Sequence, residues 1–272
     1  MGNRITTTLE ALRQQGRKAL VTYIVNGDPV PEATLTTMHA MVEAGVDIIE
    51  LGVPFSDPMA EGPVIALGHE RALANKTSLR STLALVKQFR EDNTTTPVVL
   101  MGYANPVERM GYATFAAQAQ AAGVDGLLTV DLPPEEAEEL NAELKAVGIE
   151  NIFLLAPTTT DERARHIVGL AGGFLYYVSL KGVTGAGHLD VDAVATKLGH
   201  LRQLTHLPIC VGFGIKDADS AKAIAASADG AVVGSLLVDR MGKLAGESAE
   251  TIAAGVVELI KPIRAGLDEL TA

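Results

Sequence analysis

Short apolar runs and longer amphipathic stretches alternate along this chain. The runs are 19–25 (ALVTYIV), 47–54 (DIIELGVP), 97–103 (PVVLMGY), 126–132 (GLLTVDL), 151–157 (NIFLLAP), 174–180 (FLYYVSL), 208–214 (PICVGFG) and 230–238 (GAVVGSLLV). Each is bounded by Gly, Pro or Asp, and most are rich in β-branched or aromatic residues, as buried strands are. Stretches between them, such as 31–45, 78–92, 133–148 and 161–172, repeat apolar positions at helical spacing. Many begin with Pro, Asp or Thr and end at Gly, the usual asymmetry of helix ends. A helix is expected at 6–15, capped by the threonine run, and another at 248–269 with Ile252, Val256, Ile260 and Ile263 near one face. Eight strand–helix units predict a (β/α)8 TIM barrel forming one domain over 1–272. It carries an extra N-terminal helix and an extra helix at about 64–74, after the second strand. The competing arrangement is an open doubly wound sheet, although the order of units shows no reversal point.

One strand breaks the apolar pattern. In DIIELGVPFSDPMAEGP (47–63), period-2 alternation puts Ile49, Leu51 and Val53 on one face and Ile48, Glu50 and Gly52 on the other. A packed core has no use for a carboxylate there. Burial without a partner raises its pKa and makes Glu50 a proton-donor candidate. The plainer alternative is a Glu neutralised by a buried Lys or Arg. The loop that follows is punctuated by Pro54, Pro58, Gly62 and Pro63 and carries two more carboxylates, Asp57 and Glu61.

Barrel active sites lie at the C-terminal ends of the strands. Those ends offer Tyr23, Glu50, Tyr103, Asp131, Tyr176 and Ser179. The last three loops are glycine-rich, with Gly182 to Gly187, then Gly212 and Gly214, then Gly234 and Ser235. Backbone N–H groups in such loops form the usual phosphate site of barrels and need no lysine. Any one of these loops alone reads more simply as a turn. Asp131, before two prolines, reads equally as a helix cap; Tyr103 and Tyr176 equally as packing; Cys210 as packing rather than nucleophile.

Composition narrows the classes. A net charge of −11 disfavours nucleic acid and anionic membranes but leaves a local anion site open. One cysteine permits no internal disulfide and fits the cytoplasm. No run reaches the length of a membrane span, and the opening segment lacks the apolar core of a secretory leader. The six histidines form no metal-ligand pair, and neither a P-loop nor a complete dinucleotide fingerprint is present.

The motifs, in order, resemble the tryptophan synthase alpha chain family. They are GDP (27–29), ELGVPFSDPMAEGP (50–63), MGYANP (101–106), GVDGLLTVDLP (123–133), APTTTDER (156–163), YYVSLKGVTGA (176–186), GFGI (212–215) and GAVVGS (230–235). The resemblance implies a lyase that cleaves indole-3-glycerol phosphate to indole and glyceraldehyde 3-phosphate in tryptophan biosynthesis. It implies no cofactor in this chain, and a pyridoxal-phosphate beta chain as partner in an alpha2beta2 heterotetramer. Glu50 matches the family's acid/base glutamate, and Glu61 falls where a catalytic aspartate is typical. Gly185, Gly214, Gly234 and Ser235 match phosphate-binding positions. Tyr23, Tyr103, Tyr176 and Thr184 line the substrate, and Asp57, Thr184 and Asp131 belong to loop closure. Tyr23 replaces a common phenylalanine, Ala66 a common glutamine, and Ala104 an aromatic. Two other classes stay open on the residues: a non-catalytic activator of the beta chain, and a different phosphate-binding barrel enzyme.

Overall fold

Parallel pairing of the apolar runs builds a nearly closed barrel. The computed structural model describes residues 2–179, 191–212 and 214–271. The strands are β1 Ala19–Val25, β2 Ile48–Gly52, β3 Val98–Gly102, β4 Gly126–Thr129, β5 Glu150–Asn151, β6 Phe153–Leu155, β7 Leu175–Val178, β8 Ile209–Gly212 and β9 Gly230–Val233. Their order is β5-β4-β3-β2-β1-β9-β8-β7-β6. β5 and β6 flank Ile152, whose N–H still reaches the carbonyl of Leu127, so the two pieces fill one barrel position. Eight positions result, as the pattern predicts.

The helices are α1 Arg4–Gln14, α2 Pro31–Glu43, α3 Pro63–Ala74, α4 Leu79–Asp92, α5 Ala104–Met110, α6 Tyr112–Ala122, α7 Glu138–Ala146, α8 Asp161–Leu170, α9 Val191–Leu201, α10 Ala218–Ala225, α11 Ser235–Lys243 and α12 Ala249–Asp268. Strand residues divide by parity. Leu20, Ile49, Leu51 and Leu100 face outward into a large core with Met38, Phe89, Phe115, Val256 and Ile260 of the helices. Val21, Ile48, Val99, Leu128, Ile152, Phe174, Cys210 and Val232 face inward, and Ile5, Leu9 and Leu12 of α1 pack against them. α1 therefore closes one end of the barrel and leaves the other for chemistry.

Several boundaries differ from the pattern. The first helix starts at Arg4 and is capped by Asn3, whose side chain accepts the Ile5 N–H at 2.9 Å; the threonines lie inside it. The 230–238 run is two elements, because β9 stops at Val233 and α11 begins at Ser235. Leu237 and Val238 are buried as helix residues, and an apolar run alone cannot separate that case from a strand. Stretch 133–148 divides into a short 3-10 turn, Pro134–Glu136, and α7. The expected helix after the second strand is α3, and the four apolar positions named on α12 are all buried.

Candidate active site

β2 delivers Glu50 to the barrel interior. Its Cα partners in the sheet are Tyr23 on β1 and Val99 on β3. The residue is 0% exposed, and neither carboxylate oxygen has a hydrogen-bond partner. No buried cation answers it, so the plainer alternative from the sequence fails among the described residues. Burial, and then the nearby charge of Glu61, push its pKa up to about 8. Glu61 arrives on the loop between β2 and α3, half-buried, and burial pushes its pKa up to about 7. One carboxyl is thus protonated at neutral pH, while its neighbour is poised to titrate.

Tyrosines surround this pair. Tyr23 and Tyr176 are both held well above the usual phenol pKa, by burial first and then by the two carboxylates. Small residues make room for them: a Cβ on Gly52 would lie 2.4 Å from the Tyr23 hydroxyl, and one on Gly212 would lie 2.0 Å from that of Tyr176. Tyr103, at the end of β3, accepts the Ala60 N–H at 3.0 Å and stacks on Phe55 at 5.0 Å. Both contacts tie the Glu61 loop to the barrel. Burial brings Tyr103 to about 12, with Glu61 and Asp131 adding to the shift.

The remaining predicted residues fall in two groups. Asp57 is exposed and accepts the Ser56 hydroxyl at 2.6 Å. Asp131 is exposed and accepts the Ala104 N–H at 2.7 Å, so it caps the first turn of α5 from a neighbouring loop. Gly214 is exposed with φ +79°, a left-handed position that suits glycine. Gly234 and Ser235 form the start of α11, where first-turn N–H groups lack intrahelical acceptors. Thr184 and Gly185 lie outside the described residues.

Sequence reasoning passed over His69. It sits on α3, 1% exposed, with Nδ1 accepting the Phe55 N–H at 3.0 Å and Nε2 at 3.2 Å from the Tyr23 hydroxyl. A lone histidine on a helix carries no pattern that would separate it from core. Also unforeseen is the Asp28–Arg71 pair, joined at 2.5 and 3.0 Å, which anchors the loop after β1 to α3. Two surface concavities, lined by α1 with Thr94 and Thr95 and by α1 with residues 205–208, lie away from the carboxylates. Among the described residues no cluster of His, Cys, Asp and Glu could hold a metal ion, and no helix is long and apolar enough to cross a membrane.

Comparison with known proteins converges on one family. The family model described as tryptophan synthase alpha chain matches residues 9–266. The chain is 54% identical over 268 residues to the tryptophan synthase alpha chain of Marinobacter nauticus, covering 98% of this chain and 99% of that one. Against the one from Thioalkalivibrio sulfidiphilus it is 57% identical over 269 residues, covering 98% and 100%. Among solved structures it is similar to tryptophan synthase subunit alpha from Legionella pneumophila, with a TM-score of 0.91, 42% identity, and coverage of 99% and 100%. It is also similar to a chain of the tryptophan synthase complex from Pyrococcus furiosus, with a TM-score of 0.81, 36% identity, and coverage of 91% and 98%.

Proposed function

This chain belongs to the tryptophan synthase alpha chain family, a lyase cleaving indole-3-glycerol phosphate in tryptophan biosynthesis, and we propose that Glu50 and Glu61 are its acid–base pair. The observation that carries the reading is Glu50: an inward, fully buried, unpartnered carboxyl beside a second carboxyl whose pKa is also raised.

Cleavage requires three proton events. The indole carbon bearing the side chain gains a proton, the ring N–H is polarised, and the glycerol hydroxyl next to that carbon loses its proton. The carbon–carbon bond then breaks, its electrons restore the aromatic ring, and the hydroxyl carbon becomes the aldehyde of glyceraldehyde 3-phosphate. Glu50, protonated at neutral pH, gives its proton to the ring carbon and as carboxylate takes the hydroxyl proton. Glu61, ionised, accepts the indole N–H and stabilises positive charge on the protonated ring. Tyr23, Tyr103 and Tyr176 shape the pocket wall. The phosphate rests on N–H groups of Gly214, Gly234, Ser235 and Gly185, which is why a strongly acidic chain needs no basic residue there.

The reading treats 1–272 as one domain, in the cytoplasm, supported by a family match across 9–266. A beta chain is the partner in an alpha2beta2 assembly, and it brings the pyridoxal phosphate; this chain's own step calls for no cofactor. Met59 (86% exposed) and Leu67 (52%) support docking through the β2–α3 side, since both are large apolar residues left in solvent there. Asp57, Thr184 and Asp131 are assigned to loop closure. The test is indole release from indole-3-glycerol phosphate by Glu50→Gln, which keeps the shape of the side chain and cannot transfer the proton.

A further inference from the structure

Beyond β2 the chain leaves the sheet. Val53 donates to the Met101 carbonyl at 2.8 Å, the last backbone bond from this stretch to a strand among the described residues. Residues 57–61 then close on themselves: the Met59 N–H reaches the Asp57 carbonyl at 2.8 Å, and the Glu61 N–H reaches that of Pro58 at 3.0 Å. A turn closed in this way moves as a unit unless something outside holds it. Two side chains do. Ala60 donates to the Tyr103 hydroxyl at 3.0 Å, and Phe55 donates to Nδ1 of His69 at 3.0 Å. The Phe55 ring also stacks on Tyr103, with centroids 5.0 Å apart. Glu61 follows Ala60 directly, so its carboxyl hangs from a turn fastened at Phe55 and at Ala60.

The fastening at Phe55 depends on one state of the imidazole. An N–H can only donate, so Nδ1 is the bare nitrogen and the proton of the neutral ring is on Nε2. The Tyr23 hydroxyl, 3.2 Å from Nε2, gives that proton an acceptor. Burial lowers the ring's pKa to about 4, which keeps Nδ1 bare near neutral pH. His69 is itself firmly based. Arg71 joins α3 to Asp28 in the loop after β1, and Asn75, at the end of α3, donates to the carbonyls of Gly27 and Pro29 at 3.0 and 2.8 Å. We propose that His69 is a positioning residue for the cleavage: through Phe55 it holds the turn against the barrel, as Tyr103 does through Ala60, and so sets where the Glu61 carboxyl stands.

With one fastening gone, the turn can pivot about the other. A misplacement near 1 Å of a group that acts on the reacting ring can cost ~100-fold in rate. The inference rests on the assignment of Glu61 above, and the test separates the two. Two amides divide the contacts of the imidazole. His69→Asn puts a carbonyl oxygen near the Nδ1 position, so Phe55 keeps an acceptor while the Tyr23 contact is lost. His69→Gln puts its amide near the Nε2 position, so the Tyr23 contact is kept while Phe55 loses its acceptor.

Indole release from indole-3-glycerol phosphate is measured with the full chain. His69→Gln is expected to lower kcat by about 10–100-fold with KM within about threefold of the parent's, and to speed exchange of the Phe55 amide hydrogen by about tenfold or more. His69→Asn keeps kcat within about threefold and keeps the Phe55 amide protected. In the Glu61→Ala background, His69→Gln lowers kcat by less than about twofold, because the carboxyl it would misplace is gone. Parental kcat in His69→Gln overturns the inference. So do equal losses in the two amides, or the same loss with and without the Glu61 carboxyl. Parental turnover by Glu61→Ala removes the Glu61 assignment and the inference together; lost turnover there with parental kcat in His69→Gln removes the inference alone. Thermal unfolding establishes that each variant is folded. One arm needs no variant: in the parent, the Phe55 amide exchanges about tenfold or more slowly than that of exposed Ser56, and equal rates would overturn the tie.

Discussion

Glu50 works against the stability of the fold that holds it. Its ordinary value of 4.5 rises to about 8 in the folded state, so the native chain binds more protons than the unfolded chain between those limits. Stability then falls as pH rises through that window, at about 1.4 kcal/mol per pH unit for one group. Glu61 acts with the same sign between 4.5 and about 7. Glu50→Gln is expected to gain stability over the parent progressively from pH 5 to pH 8, with little difference below pH 4.5. Urea denaturation at three pH values checks this, and a gain independent of pH would contradict it. Glu61 is tested by length as well as by charge. Its carboxyl reaches roughly 1–1.5 Å further than an aspartate's, and a misplacement near 1 Å can cost ~100-fold in rate. Glu61→Ala should lose cleavage by about 100-fold or more, whereas Glu61→Asp should keep measurable cleavage without improving on the parent. Wild-type turnover by Glu61→Ala would make Glu61 a spectator. Of these residues Glu50 was readable in the sequence, because a carboxylate interrupts an otherwise apolar alternation. Glu61 was readable as chemistry but not as a buried group, since a loop has no period. His69 was unreadable: its hydrogen-bond partners Phe55 and Tyr23 are distant in the chain and meet only in the fold.

At the scale of elements, the chain divides labour between the two ends of the barrel. α1 fills the lower end, where Ile5 contributes a fully buried side chain to the interior cluster. Asn3 and Arg4 fasten it: Asn3 donates to the carbonyls of Asp125 and Gly148, and Arg4 pairs with Asp125 at 2.8 Å. Ile5→Ala is expected to destabilise the chain by about 2–4 kcal/mol through the cavity it leaves, with kcat close to the parent's. Equilibrium denaturation and the cleavage assay read the two separately; a large loss of kcat with little change in stability would contradict the division. α1 itself was readable, but its cap was not, because three threonines advertise a start two residues too late. The 230–238 run failed for a related reason. Both a buried strand and the first turn of a buried helix are apolar, and the break at Gly234 is one residue long. The eight strand–helix units needed only the alternation of two periods, which was strong, and the helix after the second strand needed only the length of the gap there.

For the whole molecule, charge and partner frame the chemistry. A chain of net charge −11 that acts on a phosphate ester must place local donors against its own field, and the proposed site draws them from glycine-rich strand ends and the α11 N-terminus. Met59 on the β2–α3 loop and Leu67 on α3 are exposed, so in the proposed docking the loop that holds Glu61 is also the one the partner touches. A beta chain bound there is expected to raise the rate of cleavage by ordering that loop. No stimulation at saturating beta chain would contradict it. The most direct measurement combines partner and proton transfer: indole release by Glu50→Gln from indole-3-glycerol phosphate, with and without saturating beta chain. The predicted result is a folded variant that binds substrate and beta chain and releases essentially no indole under either condition. Turnover near that of the parent, in either condition, would show that the proton reaches the indole ring by another route.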